Sequence, residues 1–511
     1  MKKGSKENPY FPIIRFSFMM LTIKKTCKGD GMMESIVKEN LVSFKELEQR
    51  IFRYICELGC EITKTILESY DKELAAARDT GKYRDKGTRK TSIKTVYGPA
   101  EYQRRVYRTM LEDGKKAYVY LLDEAMQMDK IGLISTNLAE KIAMTVTESP
   151  YRVTADVVSS TCGQGISAGG VWNMMQRSGS RISEEEEHAV KQMHADQTEG
   201  KRKTAVLFEE MDGVWLNMQD GHHKKMKKQE MKVFTMYEGW DEEKERQKRS
   251  CLVEKKMLAG MEKSEIFHEK REASIRKKYN ADEIGQRILN GDGGSWIREP
   301  YDPETIIQLD RYHIYQELLR KISDREAQQK IRSLLEEEKP EEMLEYIETY
   351  AINVESTDEN DKRSKKAREL YQYLKNNQEG LLPYDKRGIR IPEPKEGVLY
   401  KRMGVQENQN CTAVTLRMKH RRMRWSVKGA NNLAKALYRK ENKKLTETID
   451  RYTDGLVLTV QMQEIVETLS AAKAPKKDGK GNAYADIISA HMPLLEAMQT
   501  ASRKAFKRAF C

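Results

Sequence analysis

The spacing of apolar residues divides the chain into helical and strand-forming stretches. From Phe44 onward, Leu47, Ile51, Ile55, Leu58, Ile62 and Ile66 recur every three or four positions, the period of one helix face. The ordinary width of this stripe favours burial in a core over a dimer seam. Across residues 88–108 the period shortens to two. Ile93, Thr95 and Tyr97 alternate, Gly98-Pro99 breaks the run, and Tyr102, Val106 and Tyr107 follow, which predicts a β-hairpin carrying Arg89, Lys90, Lys94, Arg104 and Arg105. Over 133–182 the helical period returns. Residues 151–159, a glycine-containing break at 162–165 and residues 167–176 have helix-turn-helix spacing, with Ser167 as N-cap of the second helix and Asn173, Gln176 and Arg177 placed to touch DNA. A plain helical hairpin fits the same spacing. Residues 184–203 are charge-rich and predict a linker, so a new domain opens near Lys203.

Strand periodicity then takes over. TAVLFEEMDGVWLNMQ, residues 204–219, predicts a buried strand that turns at Asp212-Gly213 into a second strand, with Val206, Phe208, Glu210 and Asp212 on one side. KVFTMY, residues 232–237, continues the sheet after the basic loop HHKKMKKQEMK. A charged helix over 264–279 leads to a short strand at 287–289 and then to NGDGGSWI, where Asp292 sits between glycines that leave room for a phosphate or metal. TIIQLD, ending at Asp310, predicts a further strand, and RYHIYQELLRKI a helix with His313 in its first turn. From there to Pro394 the pattern is helical and highly charged, an insertion beside the sheet, after which residues 395–399 return to the core. The last informative stretch starts at Gly404. Glu407 stands near the head of a helix, with Val414, Arg417, Met418 and Arg421 at helical spacing behind it.

Composition narrows the chemistry. A chain of 511 residues exceeds one ordinary core, and 92 Lys and Arg against 79 Asp and Glu give a charge of +13, which suits a polyanionic partner. The seven cysteines lack metal-site spacing and read as reduced thiols of a cytoplasmic, nucleoid-associated protein; Cys56 and Cys60 fit a helix interior. The apolar segment PIIRFSFMMLTI is too short to span a bilayer and is interrupted by Arg15, so no membrane partner is expected. Asp212-Gly213 and Asp292-Gly293 are ordinary turn dipeptides when taken singly. Together, at two strand ends with basic flanks, they resemble the paired aspartates that hold divalent metal in nucleases. Between Arg417 and Lys444 there are eleven Lys and Arg against the one acid Glu441, a density suited to phosphates.

The motifs EEMDG, LNGDGGSWI, LDRYH, GVQEN and RMRWSVKGANN resemble those of insertion-sequence transposases of the ISLre-two type, relatives of the Mutator-like class. The resemblance runs from about Met33 to beyond Leu437. Met211 and Gln406 depart from the family's usual small or aliphatic residues, and neither change removes a ligand. The resemblance implies an α/β multidomain protein, with an RNase H-like catalytic domain interrupted by an all-helical insertion and preceded by a helical and helix-turn-helix DNA-binding region. The divisions are a disordered extension over 1–32, a helical segment with the basic hairpin over 33–130, the helix-turn-helix-like region over 131–185, the catalytic core over 203–315 and 400–445, the insertion over 316–399 and a helical tail over 446–511.

By position, the implied catalytic and metal-binding triad is Asp212, Asp292 and Glu407. It would hold two Mg²⁺ ions, replaceable by Mn²⁺, with Asp212 bridging both. Lys224, Lys225, Arg417, Arg421, Arg422 and Arg424, with Asn173 and Arg177, are the DNA-binding candidates. Glu210, His313 and Trp425 are auxiliary ones, although a structural role suits His313 and core filling suits Trp425. The implied activity is Mg²⁺-dependent cleavage and strand transfer on double-stranded DNA at element ends and target, by a homo-oligomer of at least two copies. Two rival readings use the same residues: a non-catalytic helix-turn-helix regulator, and an RNase H-like nuclease or resolvase that cuts without joining.

Overall fold

A computed structural model of the chain describes residues 43–126, 133–198, 200–222, 224–297, 302–357 and 362–453. The expected extension over 1–32 and the tail beyond 453 lie outside these residues. The chain divides into two units, residues 56–457 and residues 1–55 with 458–511. Of the second unit, the described part is residues 43–55, which hold the first turns of helix α1 (Phe44–Ala77). Here the apolar stripe is not core: Ile51 and Ile55 are 47% and 52% exposed. Farther along α1, Leu67 is buried with Ile93, Ala100 and Tyr102 of a hairpin. Amphipathic spacing makes a helix, and burial follows only where another element covers the stripe.

The hairpin is as expected: β1 (Arg84–Thr95) and β2 (Gly98–Met110) pair antiparallel with Thr95 opposite Gly98, and β3 (Lys116–Val119) adds a third strand. Helices α2 (Thr136–Glu148), α3 (Tyr151–Thr161) and α4 (Ala168–His194) follow, and Ser167 caps α4 by accepting from the Gly170 N–H. Two expectations fail on α4. It continues through 184–194, the stretch read as a linker, because Glu186 is buried there and accepts from the Tyr438 hydroxyl at 2.6 Å. Gln176, read as a DNA contact, is also buried and accepts from Asn432 Nδ2 at 2.8 Å.

The central sheet is mixed. β4 (Arg202–Leu216) pairs antiparallel with β5 (Gln229–Tyr237); β6 (Gly239–Asp241) and β7 (Leu252–Val253) belong to a small side sheet; β8 (Lys256–Gly260) pairs antiparallel with β5. β9 (Tyr279–Gly291) and β10 (Ile306–Leu309) then lie parallel beyond β4, giving the order β10-β9-β4-β5-β8. β9 is far longer than the three-residue strand expected at 287–289.

Asp212-Gly213 is not a turn. β4 runs straight through it, with Asp212 opposite Val233 and Gly213 opposite Lys232. The glycine serves clearance instead, since a Cβ on Gly213 would stand 1.9 Å from Glu230 Oε1. Helix α5 (Ser264–Arg276) lies against the sheet through buried charge, with Arg287 bonded to Glu209 at 2.7 Å and to Glu272 at 3.0 Å.

After β10 come α6 (Arg311–Lys321), α7 (Arg325–Glu336), α8 (Pro340–Thr357) and α9 (Lys362–Asn376), the expected helical insertion. It has its own core, including Leu318, Ile331, Met343, Ile347 and Leu370. Helix ends at Asn376, not near Pro394; short turns and extended chain then lead to β11 (Val398–Leu399), which pairs with β6. α10 (Gln406–Asn410) passes through a π-turn, Cys411–Thr415, into Leu416–Met418, and α11 (Val427–Glu441) and α12 (Leu445–Thr453) complete the described chain. The protein is thus a mixed α/β structure, and among the described residues no helix is long and apolar enough to cross a membrane.

Candidate metal-binding carboxylate site

Three parallel strands carry the same sequence of chemistry along one face. Phe208, Ile288 and Ile306 lie side by side in register, and two residues on so do Glu210, Asn290 and Gln308. The last paired row is Met211, Gly291 and Leu309, and the next residue of each strand is an aspartate: Asp212, Asp292 and Asp310. Neighbouring strands stand about 4.8 Å apart, so equal steps along parallel strands bring the three carboxyls to one edge. The apolar row packs with Tyr237, Trp240 and Tyr384. The middle row bonds to itself, Asn290 Nδ2 donating to Glu210 Oε2 at 3.1 Å and Gln308 Nε2 to Asn290 Oδ1 at 3.3 Å.

Each aspartate is held differently. Asp212 Oδ2 accepts from Asn410 Nδ2 at 2.6 Å, and its Oδ1 lies 3.5 Å from His313 Nε2. Asp292 Oδ1 accepts from the Gly294 N–H at 2.8 Å, and its backbone carbonyl accepts from the Tyr373 hydroxyl of the insertion at 2.8 Å. Gly293 has φ +76°, and a Cβ there would meet Asn377 Oδ1 at 2.6 Å, so this glycine admits the end of the insertion and not an incoming phosphate. Asp310 caps α6 by accepting from the Tyr312 N–H at 2.9 Å, which places His313 over the edge.

Ligand atoms of Asp212, Asp292 and His313 all lie within 4.8 Å of one another. Glu407 is outside this group. It is exposed in the first turn of α10, one turn before Asn410. Two members of the expected triad are therefore brought together, and His313 takes the third place.

Crowded carboxyls explain the electrostatics. Burial, reinforced by the charge of Asp212, raises the Asp292 and Asp310 carboxyls above the usual range against the opposing N–H donors and His313. At His313 burial opposes protonation, but Asp212, Asp310 and Asp292 outweigh it and push the imidazole up to about 9. In the metal-free site the imidazolium supplies the positive charge that the aspartates lack; the carboxylate oxygens suit Mg²⁺ or Mn²⁺, and the imidazole nitrogen becomes a ligand only once it has lost its proton.

His313 should therefore titrate near 9 in metal-free protein, by histidine-resolved NMR, and fall when Mg²⁺ is added. Because the folded value lies above the free value of about 6.5, its stabilisation is complete below about 6.5 and is lost as pH rises through 9. A titration near 6.5 that Mg²⁺ leaves unmoved would remove His313 from the site.

Glu210, an auxiliary candidate, does not face the edge. It is fully buried and accepts from Tyr237 Oη at 2.6 Å, from Asn290, and from the backbone N–H groups of Gly404, Val405 and Gln406 at 3.2 Å each. It is a positioning residue that anchors the head of α10. Burial raises its carboxyl, partly offset by the Tyr237 hydroxyl.

Arg417 corrects the expected phosphate grip. It is buried, donates to the Val146 carbonyl at 2.7 Å and lies over the rings of Tyr151 and Trp425. Trp425 fills core as expected and donates to the Met418 carbonyl at 2.8 Å. The side chain of Arg421 lies outside the described residues.

Arg422 and Arg424 are exposed, as are Lys224 and Lys225. Backbone bonds from Gln219 to Trp425 at 2.8 Å, Trp425 to Asn217 at 3.0 Å and Asp220 to Lys224 at 3.0 Å gather these four into one basic ridge past the end of β4. Asn173 and Arg177 are exposed on α4. Asp310 and Asn410 belong to the site without being among the candidates that the sequence marked. For Asp310 a signal existed, the repeated strand pattern ending in Asp; for Asn410 the only hint was its spacing of three from Glu407.

The chain is similar to a UPF0236 protein of Caldanaerobacter subterraneus subsp. tengcongensis whose name strings together eleven gene designations, 26% identical over 359 residues that cover 69% of this chain and 70% of the relative. A UPF0236 protein of Streptococcus gallolyticus, named for the vanSb 3′ region, is 24% identical over 396 residues, 76% of this chain and 81% of the relative. A family model described as Uncharacterised protein family (UPF0236) matches residues 37–449, and the chain belongs to that family.

Proposed function

We propose that the chain is a DDE-type transposase that cuts and joins DNA at the Asp212–Asp292 edge. The observation that carries this reading is the register-matched row of aspartates at the ends of parallel strands, faced by a helix bearing Glu407 and Asn410. The strand order supports an RNase H-like core: the first strand, β4, is central, an antiparallel meander through β5 to β8 leads off on one side of it, and the parallel strands β9 and β10 lie on the other. A relative named for eleven gene designations in one organism also fits a multicopy, mobile gene.

Divalent metal bound between the carboxylates supplies charge neutralisation of the phosphate and activation of the attacking oxygen. The chain's own residues do the positioning. Asn410 orients Asp212, the Gly294 N–H orients Asp292, and Glu407, exposed one turn before Asn410 on α10, would have to join them as the third acid when DNA and metal bind. Cleavage frees a 3′-hydroxyl that is itself the nucleophile for joining, so no protein side chain has to form a covalent bond. The ridge of Lys224, Lys225, Arg422 and Arg424 holds phosphates, and α3 with α4 presents Asn173 and Arg177 to duplex DNA.

The test is purified protein with labelled element-end DNA in Mg²⁺ or EDTA, scored for cleavage and for strand transfer. Metal-dependent cutting and joining is expected. Cutting without joining would leave a nuclease, and binding without cutting a regulator. Replacing Lys224, Lys225, Arg422 and Arg424 by Ala should also flatten the dependence of log affinity on log salt by about three to four, since each phosphate contact contributes ~0.9. Arg417→Ala should instead lower the melting temperature, and an unchanged salt slope in the fourfold variant would dismiss the ridge.

A further inference from the structure

Beside β8, the edge strand opposite β10, helices α4, α5 and α11 border a polar cavity of about 500 Å³. Its wall draws cations from separate parts of the chain: Lys256 at the start of β8, Lys277 and Lys278 just after α5, Arg439 on α11 and Lys444 before α12. Eight Lys and Arg face four Glu across the whole lining, so the wall carries a surplus of positive charge. The basic run from 417 to 444, which the proposed DNA contacts absorb only at Arg422 and Arg424, ends here.

Ion pairs account for some of these cations. Lys278 meets Glu254 at 2.8 Å and Arg439 meets Glu185 at 2.9 Å. Among the described residues Lys256, Lys277 and Lys444 form no ion pair. Lys256 is half-buried, and among the described residues its ammonium donates to the Ser274 carbonyl alone, at 3.0 Å. Burial, with Lys278, Arg439, Lys277 and Lys444 around it, pushes this amine down to about 7. A half-buried cation among cations costs stability unless an anion enters to neutralise it. A phosphate group brings up to two charges and three acceptor oxygens, which suits several amines converging from different elements better than one carboxylate does. The volume lies within the range of small-ligand sites.

We propose that this cavity binds a phosphate-bearing ligand, with its phosphates held by Lys256, Lys277 and Lys444. The site does not depend on the transposase reading, because it uses none of the residues of the carboxylate edge.

The full chain is titrated calorimetrically with inorganic pyrophosphate, without divalent metal and at low ionic strength. Saturable binding is expected, weakened at least ~10-fold by Lys256→Gln and by Lys444→Ser, since each loses a charge-assisted contact. Lys115→Ala, on the turn between β2 and β3, should bind as wild type. Lys256→Gln should melt no lower than wild type without pyrophosphate, because it removes a poorly compensated charge, and should gain less from its addition.

A parallel titration with a short DNA duplex separates the two sources of phosphate. Parallel weakening assigns the cavity to the nucleic-acid backbone, and unchanged duplex affinity assigns it to a small phosphorylated compound. Absence of saturable pyrophosphate binding by wild type, or wild-type binding by both folded cavity variants, overturns the proposal.

Discussion

Asp292→Asn and Asp212→Asn are expected to abolish Mg²⁺-dependent strand cleavage alike, and to move the stability of the metal-free protein in opposite directions. Each removes a carboxylate from the edge where the nucleic-acid phosphate and its metal would sit. The expected loss of rate is at least ~10³-fold, about 4 kcal/mol of transition-state stabilisation. The stability effects follow from the partners. Burial and the charge of Asp212 hold the Asp292 carboxyl above its ordinary range, so its ionised form is disfavoured by the fold, while an amide oxygen can still accept from the Gly294 N–H. Asp292→Asn should therefore melt no lower than wild type. Asp212, by contrast, faces the His313 imidazolium. Its replacement should lower the His313 titration towards 6.5 and cost about 1–3 kcal/mol, the range of a hydrogen bond to a charged group. Melting curves and single-turnover cleavage of both variants decide the matter. Retained cleavage in either variant removes that residue from the chemistry, and equal melting of the two removes the asymmetry assigned to His313.

Much of the site was legible in the chain as a repeated strand pattern. Phe208-x-Glu210-x-Asp212, Ile288-x-Asn290-x-Asp292 and Ile306-x-Gln308-x-Asp310 each run apolar, polar, acidic on alternate residues, and alternation assigns them to one strand face. What alternation does not contain is register: only parallel pairing of β4, β9 and β10 stacks the three patterns level and makes Asp310 a neighbour of Asp292. Asp212-Gly213 read as a turn because the dipeptide is common in turns; that Glu230 would lie over the glycine is a cross-strand fact. The helical insertion was visible because amphipathic period is local. Arg417 was misread for the opposite reason. Its partners Val146 and Tyr151 lie more than 260 residues earlier, and a run of cations says nothing of which one is drawn inside. Glu186 repeats the lesson, an acid in a solvated-looking run whose partners Lys270 and Lys435 come from two other helices.

Glu210→Leu is expected to destabilise residues 56–457 by about 3–5 kcal/mol or more, and to disable cleavage from a position that does not line the edge. The carboxylate collects the Tyr237 hydroxyl, the Asn290 amide and three backbone N–H groups, of which those of Tyr237, Asn290 and Gln406 are buried. Leucine leaves the Tyr237, Asn290 and Gln406 donors buried without this acceptor, at ~1–3 kcal/mol for each that water cannot reach. Because three of the donors are Gly404, Val405 and Gln406, the first structure to loosen should be the head of α10, carrying Glu407 and Asn410 with it. Hydrogen exchange distinguishes this from general unfolding: amides 404–406 should exchange faster under conditions where β9 stays protected. Glu210→Gln should fall between wild type and Leu, since an ionised carboxylate only accepts, whereas one half of the glutamine amide must point a donor at other donors. An unchanged urea midpoint with protected amides at 404–406 in Glu210→Leu would show that the head of α10 is held by something else, and that the position of Glu407 does not depend on this buried acid.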